Sequence, residues 1–409
     1  MGLSDLPVEL VDSIAACLTA PGDLSAWSRT SRKFYDELED RLYSFILLRD
    51  ARAATAFSNA IAGRTSLAPL VKTLYVNGAR NFGQSKSPCV EVVENGFAIS
   101  RLSGLENLYL HYPAGGDQDQ LIDLFEHFPN GSALPSLKQC SIFIWDQRHY
   151  KYYTNWHLDK YWKVFLHPNL QALTIHDSTF RWDISQGDGR DADLIHQLRG
   201  TSSLKRLHLY GSHMSFSLFC HLLLVPRALE ELVHEAPSFD PWLDRTSSAE
   251  AMLELPVSAR RSLRRLTFLH RDHPFFIRWT PFERLEYLRV YAHHILRGRL
   301  PEVAPKLADL LPPTLEVLAI CDVSFYDGDR AVPDALLYLS RLLGEAPEHR
   351  VKRVELELSD HSHSVPKDVF ESFEGIGVQL TADRRFSEDQ FRWGGKDDWP
   401  QDPPIWLEE

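Results

Sequence analysis

A spaced apolar pattern, Leu-x-x-Leu-x-Leu, runs through most of the chain, with Val, Ile, Cys or Phe, and once His234, in place of Leu. Its ten copies begin at Val71, Leu105, Leu137, Leu170, Leu204, Leu229, Leu263, Leu285, Leu315 and Val351, at spacings of 22 to 36 residues. The alternating second half of each copy predicts a short strand with one buried face. The segments between copies are long enough for a returning helix. Leu121–Phe125 before Pro129, Leu218–Leu222 before Pro226, and Leu336–Leu342 before Gly344 are such helices with clear stops. Strand, helix and strand in repetition predict an α/β solenoid, a right-handed array with a parallel sheet on its concave face. The alternative is an ordinary doubly wound α/β domain, which would lack ten equivalent strands.

Before the repeats the period changes. Ser4 and Asp5 can cap a helix whose first turn takes Pro7 and Glu9. Its apolar residues Leu6, Leu10, Ile14, Cys17 and Leu18 form one helical stripe. After Pro21-Gly22, Asp23 caps a second helical pattern carrying Leu24, Trp27, Phe34, Tyr35, Leu38 and Leu42. Helices this short bury little surface alone, so the unit is expected to complete its core against something else.

Leu6-Pro7-Val-Glu9-Leu10, followed by Ile14, Leu18, Asp23-Leu24, Trp27 and Thr30-Ser-Arg-Lys-Phe34, resembles the F-box. The resemblance runs from Leu6 to Phe34, in order and at the family's spacing. It departs at Ser28-Arg29-Thr30, where an apolar residue is common, and in a longer Thr19–Gly22 turn. It implies docking on the Skp-type adaptor of a cullin-based ubiquitin ligase through Leu6, Pro7, Leu10, Ile14, Leu18, Leu24, Trp27 and Phe34. A plain helical cap over the first repeat is the bland alternative. The repeats in turn resemble the leucine-rich-repeat family, and the order F-box then leucine-rich repeats is familiar in fungal sets. Here the family's Asn or Cys after each strand is replaced by Ala79, Pro113, Ser178 or Ser212, which implies an irregular array. Together the two resemblances imply an F-box domain over 1–45, a linker helix and cap over 46–70, a solenoid over 71–380, and a capping tail over 381–409. They imply a non-catalytic adaptor that selects a protein substrate for ubiquitination, or else a repeat scaffold acting outside any ligase.

Charge narrows the partners. With 44 Lys+Arg against 56 Asp+Glu the chain carries −12, which disfavours general affinity for nucleic acid or anionic membranes. The five cysteines are scattered and contain no CxxC pair, so neither a disulfide framework nor a thiolate zinc site is expected. With no signal-peptide pattern and no long apolar span, a cytoplasmic or nuclear setting is expected. No G-x-S-x-G, G-x-G-x-x-G, P-loop or H-E-x-x-H motif occurs. No catalytic centre, cofactor or metal is therefore expected.

Strand positions alternating with the buried leucines should face the concave side, and these include Tyr109, His176, His208, Tyr210, Arg265, Arg289 and Tyr291. Tyr and Arg are common interface anchors, although β-propensity alone would also favour Tyr there. If these side chains stand open, they make a mixed aromatic and basic patch suited to an acidic or phosphorylated substrate segment. The aromatic and basic stretch from Trp145 to His167 fits a repeat helix or a protein-binding loop better than a nucleic-acid site. His293-His294, His361, His363 and Arg271-Asp-His273 read as solvated loop residues.

Overall fold

The computed structural model describes residues 6–17, 21–48, 51–77, 99–113, 125, 128–129, 131, 133–145, 154–157, 162–176, 178–181, 198–212, 214, 216–236, 256–270, 279, 281–295, 311–323, 325, 331–346, 348–359 and 364–383. They form two compact units, the first holding the described residues up to Trp145 together with His167–Asn169, the second all the others.

The first unit opens with helices α1 (Val8–Cys17), α2 (Pro21–Ser28) and α3 (Arg32–Ser44). Pro7 sets the start of α1, its carbonyl accepting from Leu10 and Val11 N–H at 3.1 Å each. Ser31 caps α3, accepting from Phe34 N–H at 3.1 Å. Val11, Ala15, Phe34 and Leu38 make the small core of these helices, with Leu6, Leu24, Trp27 and Leu42 packed at its rim. There is no linker after α3. The chain passes directly into strand β1 (Phe45–Leu48), then helix α4 (Ala51–Gly63) and a 3₁₀ segment Thr65–Leu70. The span 46–70, expected as a linker helix and cap, thus opens on a strand before its helix; the strand escapes the pattern because Phe45-Ile-Leu-Leu is apolar throughout and lacks the alternation of the other strands. β1 pairs parallel with β2 (Thr73–Asn77), β2 with β3 (Asn107–Pro113), and β3 with β4 (Gln139–Trp145). Gly104 lies where a Cβ would stand 1.9 Å from the Pro69 carbonyl oxygen, so only glycine lets these two backbones approach.

The second unit adds a two-stranded pair, β5 (Thr154–His157) with β7 (Ser178–Arg181), and a run of parallel strands in chain order. These are β6 (Ala172–His176), β8 (Arg206–Tyr210), β9 (Glu231–Ala236), β10 (Arg265–His270), β11 (Tyr287–Tyr291), β12 (Val317–Val323), β13 (Arg353–Leu358) and β14 (Gln379–Asp383). Helices α5 (Phe216–Leu222), α6 (Val257–Ser262), α7 (Ala292–Ile295), α8 (Ala331–Glu345) and α9 (Lys367–Gly375) lie between them in sequence. All ten patterned copies are strands. A doubly wound sheet reverses its strand order at a switch point, and neither unit does. Two expectations about helices change. Thr154–His157, in the stretch expected as a repeat helix or a protein-binding loop, is strand, in keeping with its Thr and Trp content. The helix expected to stop before Gly344 runs one residue past it. Of Leu121–Phe125 only Phe125 lies within the described residues, and the tail beyond Asp383 lies outside them.

The pairing aligns the pattern residue by residue. Leu173, Leu207, Leu232, Leu266, Leu288, Leu318 and Val354 share one register row and are at most 1% exposed, so the leucine face is the core. Just before the strands, one carbonyl accepts two consecutive amides of the next repeat. Glu230 and Glu231 N–H, for instance, both donate to the Lys205 carbonyl at 2.8 and 2.9 Å. The carbonyls of Lys72, Glu106, Gln171, Glu230, Arg264, Glu286 and Glu316 do the same. A second stitch uses the polar residue preceding the first leucine. Ser136, Asn169, Ser203, Ser262 and Thr314 each donate to a carbonyl of the preceding repeat at 2.7 to 3.0 Å. These bonds satisfy turn carbonyls that the sheet ladder leaves over. The Ser, Thr or Asn before five of the ten copies was a visible signal that the leucine pattern alone passes over.

Candidate partner-binding surfaces

On α1 the apolar positions divide. Val11 and Ala15 turn into the helical core, while Leu10 is 50% and Ile14 39% exposed. Among the described residues only Val257 and Phe370 are other large apolar side chains so exposed. Leu10 and Ile14 are four apart and therefore neighbours on one helix face. Pro7 is exposed beside them, and Leu6, Leu24 and Trp27 are half-buried. Phe34 requires correction as a contact residue. It is 1% exposed and packs against Trp27 with ring centroids 5.0 Å apart, so it shapes the surface from within. Lys33 Nζ donates to the Leu6 carbonyl at 2.9 Å, fixing the entry to α1. Leu18 lies outside the described residues.

The sheet face opposite the leucines has three register rows in the second unit. Nearest the N-terminal ends of the strands stand Arg206, Glu231, Arg265, Tyr287, Val317 and Arg353, side by side on β8 to β13. This row is open. With the adjoining Glu230, Arg264, Glu286 and Glu316 it lines a groove of about 400 Å³. Arg265 is 56% exposed, its guanidinium 4.5 Å above the Tyr287 ring and 3.9 Å from the Glu231 carboxylate. Glu231 also faces His208 Nε2 at 3.4 Å. The His208 contact first, then Arg265 and Arg206, hold its carboxyl below the ordinary range. Burial pushes the Tyr287 hydroxyl up to about 12, so it stays protonated.

The two deeper rows differ from expectation. His176, His208, Tyr210 and Tyr291, expected to stand open, are buried. His176 stacks on Tyr210 at 4.8 Å, and Tyr291 packs with Leu269 and Cys321. In the first unit Tyr109 is half-buried and stacks on the buried Tyr75 at 5.9 Å. Arg289 is not available as an open cation. Its Nε and Nη2 donate to the two Glu357 carboxylate oxygens at 2.9 Å each, and its Nη1 donates to Glu235 at 3.0 Å. One guanidinium thus bridges β9, β11 and β13, because alternate strands bring carboxylates into its reach from both sides. Burial lowers the guanidinium's hold on its proton, but the Glu357 and Glu235 carboxylates around it raise it above the ordinary arginine value. Burial first, then Glu357, pushes the Glu235 carboxyl up despite Arg289, and burial pushes the Cys321 thiol well up. Beside this cluster β12 breaks register between Ile320 and Val323, with Asp322 at φ 56°. His294, expected in a solvated loop, is 2% exposed. His361, His363, Asp272 and His273 lie outside the described residues.

No family model matches this sequence, and none of the curated proteins searched matches it.

Proposed function

We propose that the chain is a substrate-recognition adaptor of a cullin-based, SCF-type ubiquitin ligase. In this reading α1 to α3 act as an F-box on the Skp-type adaptor, and the parallel repeats act as a leucine-rich-repeat-like solenoid that holds a protein substrate. The observation that carries it is the pair Leu10 and Ile14, exposed on adjacent turns of α1 within the sequence pattern that resembles the F-box. Full burial of such a side chain is worth about 1.5–3 kcal/mol, and the exposed part of each, 50% of Leu10 and 39% of Ile14, is what a partner could still cover. The adaptor does no chemistry itself. It raises the effective concentration of a substrate lysine near the ubiquitin carrier.

The test is capture of a purified Skp-type adaptor by the full chain. Leu10→Asp with Ile14→Asp is expected to weaken capture at least tenfold while unfolding stays cooperative at the same temperature, since both positions are exposed. A wild-type chain that does not capture the adaptor overturns the reading. Capture of adaptor without cullin assigns the chain to a scaffold outside the ligase.

A further inference from the structure

We propose that the open row at the N-terminal ends of β10 to β13 binds an extended acidic segment of a partner protein, with an apolar residue at its centre. This deepens the adaptor reading and rests on it only in taking the repeats as the recruiting part.

The argument starts from which charges are already answered. Of the glutamates lining the groove, Glu230 holds Lys205 at 3.2 Å, Glu286 holds Arg264 at 2.8 Å and Glu316 holds Lys352 at 3.0 Å. The row facing into the groove then sets three arginines, Arg206, Arg265 and Arg353, against one carboxylate, Glu231. Glu231 stands on the β8 side of Arg265 and leaves its β11 side to Tyr287. Arg353 is 45% exposed and meets Glu355 of its own strand at 2.8 Å, an exposed pair that a bidentate ligand carboxylate can replace at little cost. Between these two cations the floor is Tyr287 and Val317, both half-buried. On a protein of charge −12 a cationic row with an apolar floor is a local reversal of sign.

Spacing selects the ligand. Arg265 and Arg353 are three strand spacings apart, about 14 Å. An extended peptide rises about 3.3 Å per residue, so acidic residues four apart span about 13 Å. The residue midway then lies over Tyr287 and Val317. The recognised pattern is acidic-x-apolar-x-acidic, laid across the strands.

The experiment titrates the full chain into a fluorescent peptide carrying Glu-x-Leu-x-Glu and follows anisotropy at low and at physiological salt. Binding is expected to saturate and to weaken severalfold between about 0.03 and 0.15 M salt. Gln in place of both Glu residues, or a spacing of two instead of four, is expected to cost at least tenfold. Arg265→Glu with Arg353→Glu should lose the acidic peptide by a similar factor and gain the Lys-x-Leu-x-Lys peptide, whereas Arg227→Glu outside the groove should change neither. The peptide comparisons use the wild-type chain and stand even where the double variant folds poorly. Equal affinity for the Gln peptide, no saturable binding at low salt, or a folded double variant with unchanged preference each overturn the proposal. Adaptor capture is measured on the same preparations, so loss of peptide binding with intact capture fails this groove alone, and the reverse fails the F-box reading alone.

Discussion

Arg265 and Arg289 occupy neighbouring strands on the same sheet face, one register row apart, and they have opposite fates. Arg265 is 56% exposed, with a carboxylate at 3.9 Å and an aromatic ring beneath it. Arg289 is 23% exposed and locked by three hydrogen bonds to Glu235 and Glu357. Two residues along a strand separate an available cation from a structural one. Residue type alone therefore does not mark a binding site on this face. What separates the two arginines is the row, and whether carboxylates of the next row on alternate strands reach back to the guanidinium.

The largest effect should follow Arg289→Met, which leaves Glu235 and Glu357 buried without their cation. Stability in urea is expected to fall by about 3–5 kcal/mol. Adding Glu235→Gln and Glu357→Gln should recover part of it, because the uncompensated charge is gone. A loss below about 1 kcal/mol would erase the contrast between the two arginines.

A smaller effect sharpens the contrast through pH. The Glu235 carboxyl is held above its ordinary value of 4.5 by burial. It binds its proton more tightly in the folded chain than in the unfolded one, so its contribution favours the fold below 4.5 and is lost as pH rises through the raised value. The stability of wild type minus Glu235→Gln, followed by thermal unfolding, should therefore decline as pH climbs above 4.5, by at most about 1.4 kcal/mol per pH unit. A flat difference would place Glu235 in a solvated setting like that of Arg265.

Smallest of all, Arg265→Ala should alter stability by no more than about 0.5 kcal/mol while removing the cation over Tyr287. A loss near that of Arg289→Met would mean that the open row is as structural as the buried one.

The strands were legible because a period of two beside fixed leucines is a local signal. β1 was not, since Phe45–Leu48 are all apolar, and β14 was not, since Gln379–Asp383 carries Leu380 as its one large apolar residue. The outward positions of the ten copies could be named from alternation, but not whether they stay open. Glu235 and Glu357 lie 54 and 68 residues from Arg289, and only the register of five strands brings them together. The division of α1 was half legible. Its stripe was visible, whereas the choice of Val11 and Ala15 for the core, leaving Leu10 and Ile14 outside, depends on where α3 packs.

The passage from α3 into β1 has a mechanical consequence. Ser44 closes the helix, its hydroxyl donating to the Arg41 carbonyl, and its own carbonyl accepts from Lys72 N–H at 2.9 Å at the start of the next strand. Phe45 already pairs with Thr73. Farther along, Arg64 at the end of α4 grips Glu39 on α3, with Nη2 to Oε2 at 2.8 Å. A hinge needs a few residues whose backbone angles are free to swing, and none stands between helix and sheet. Turning α1 therefore means turning α3, and with α3 the edge strand β1 of the first unit's sheet. Three or four glycines inserted after Ser44 would uncouple the three helices from β1 and leave the exposed Leu10 and Ile14 as they are.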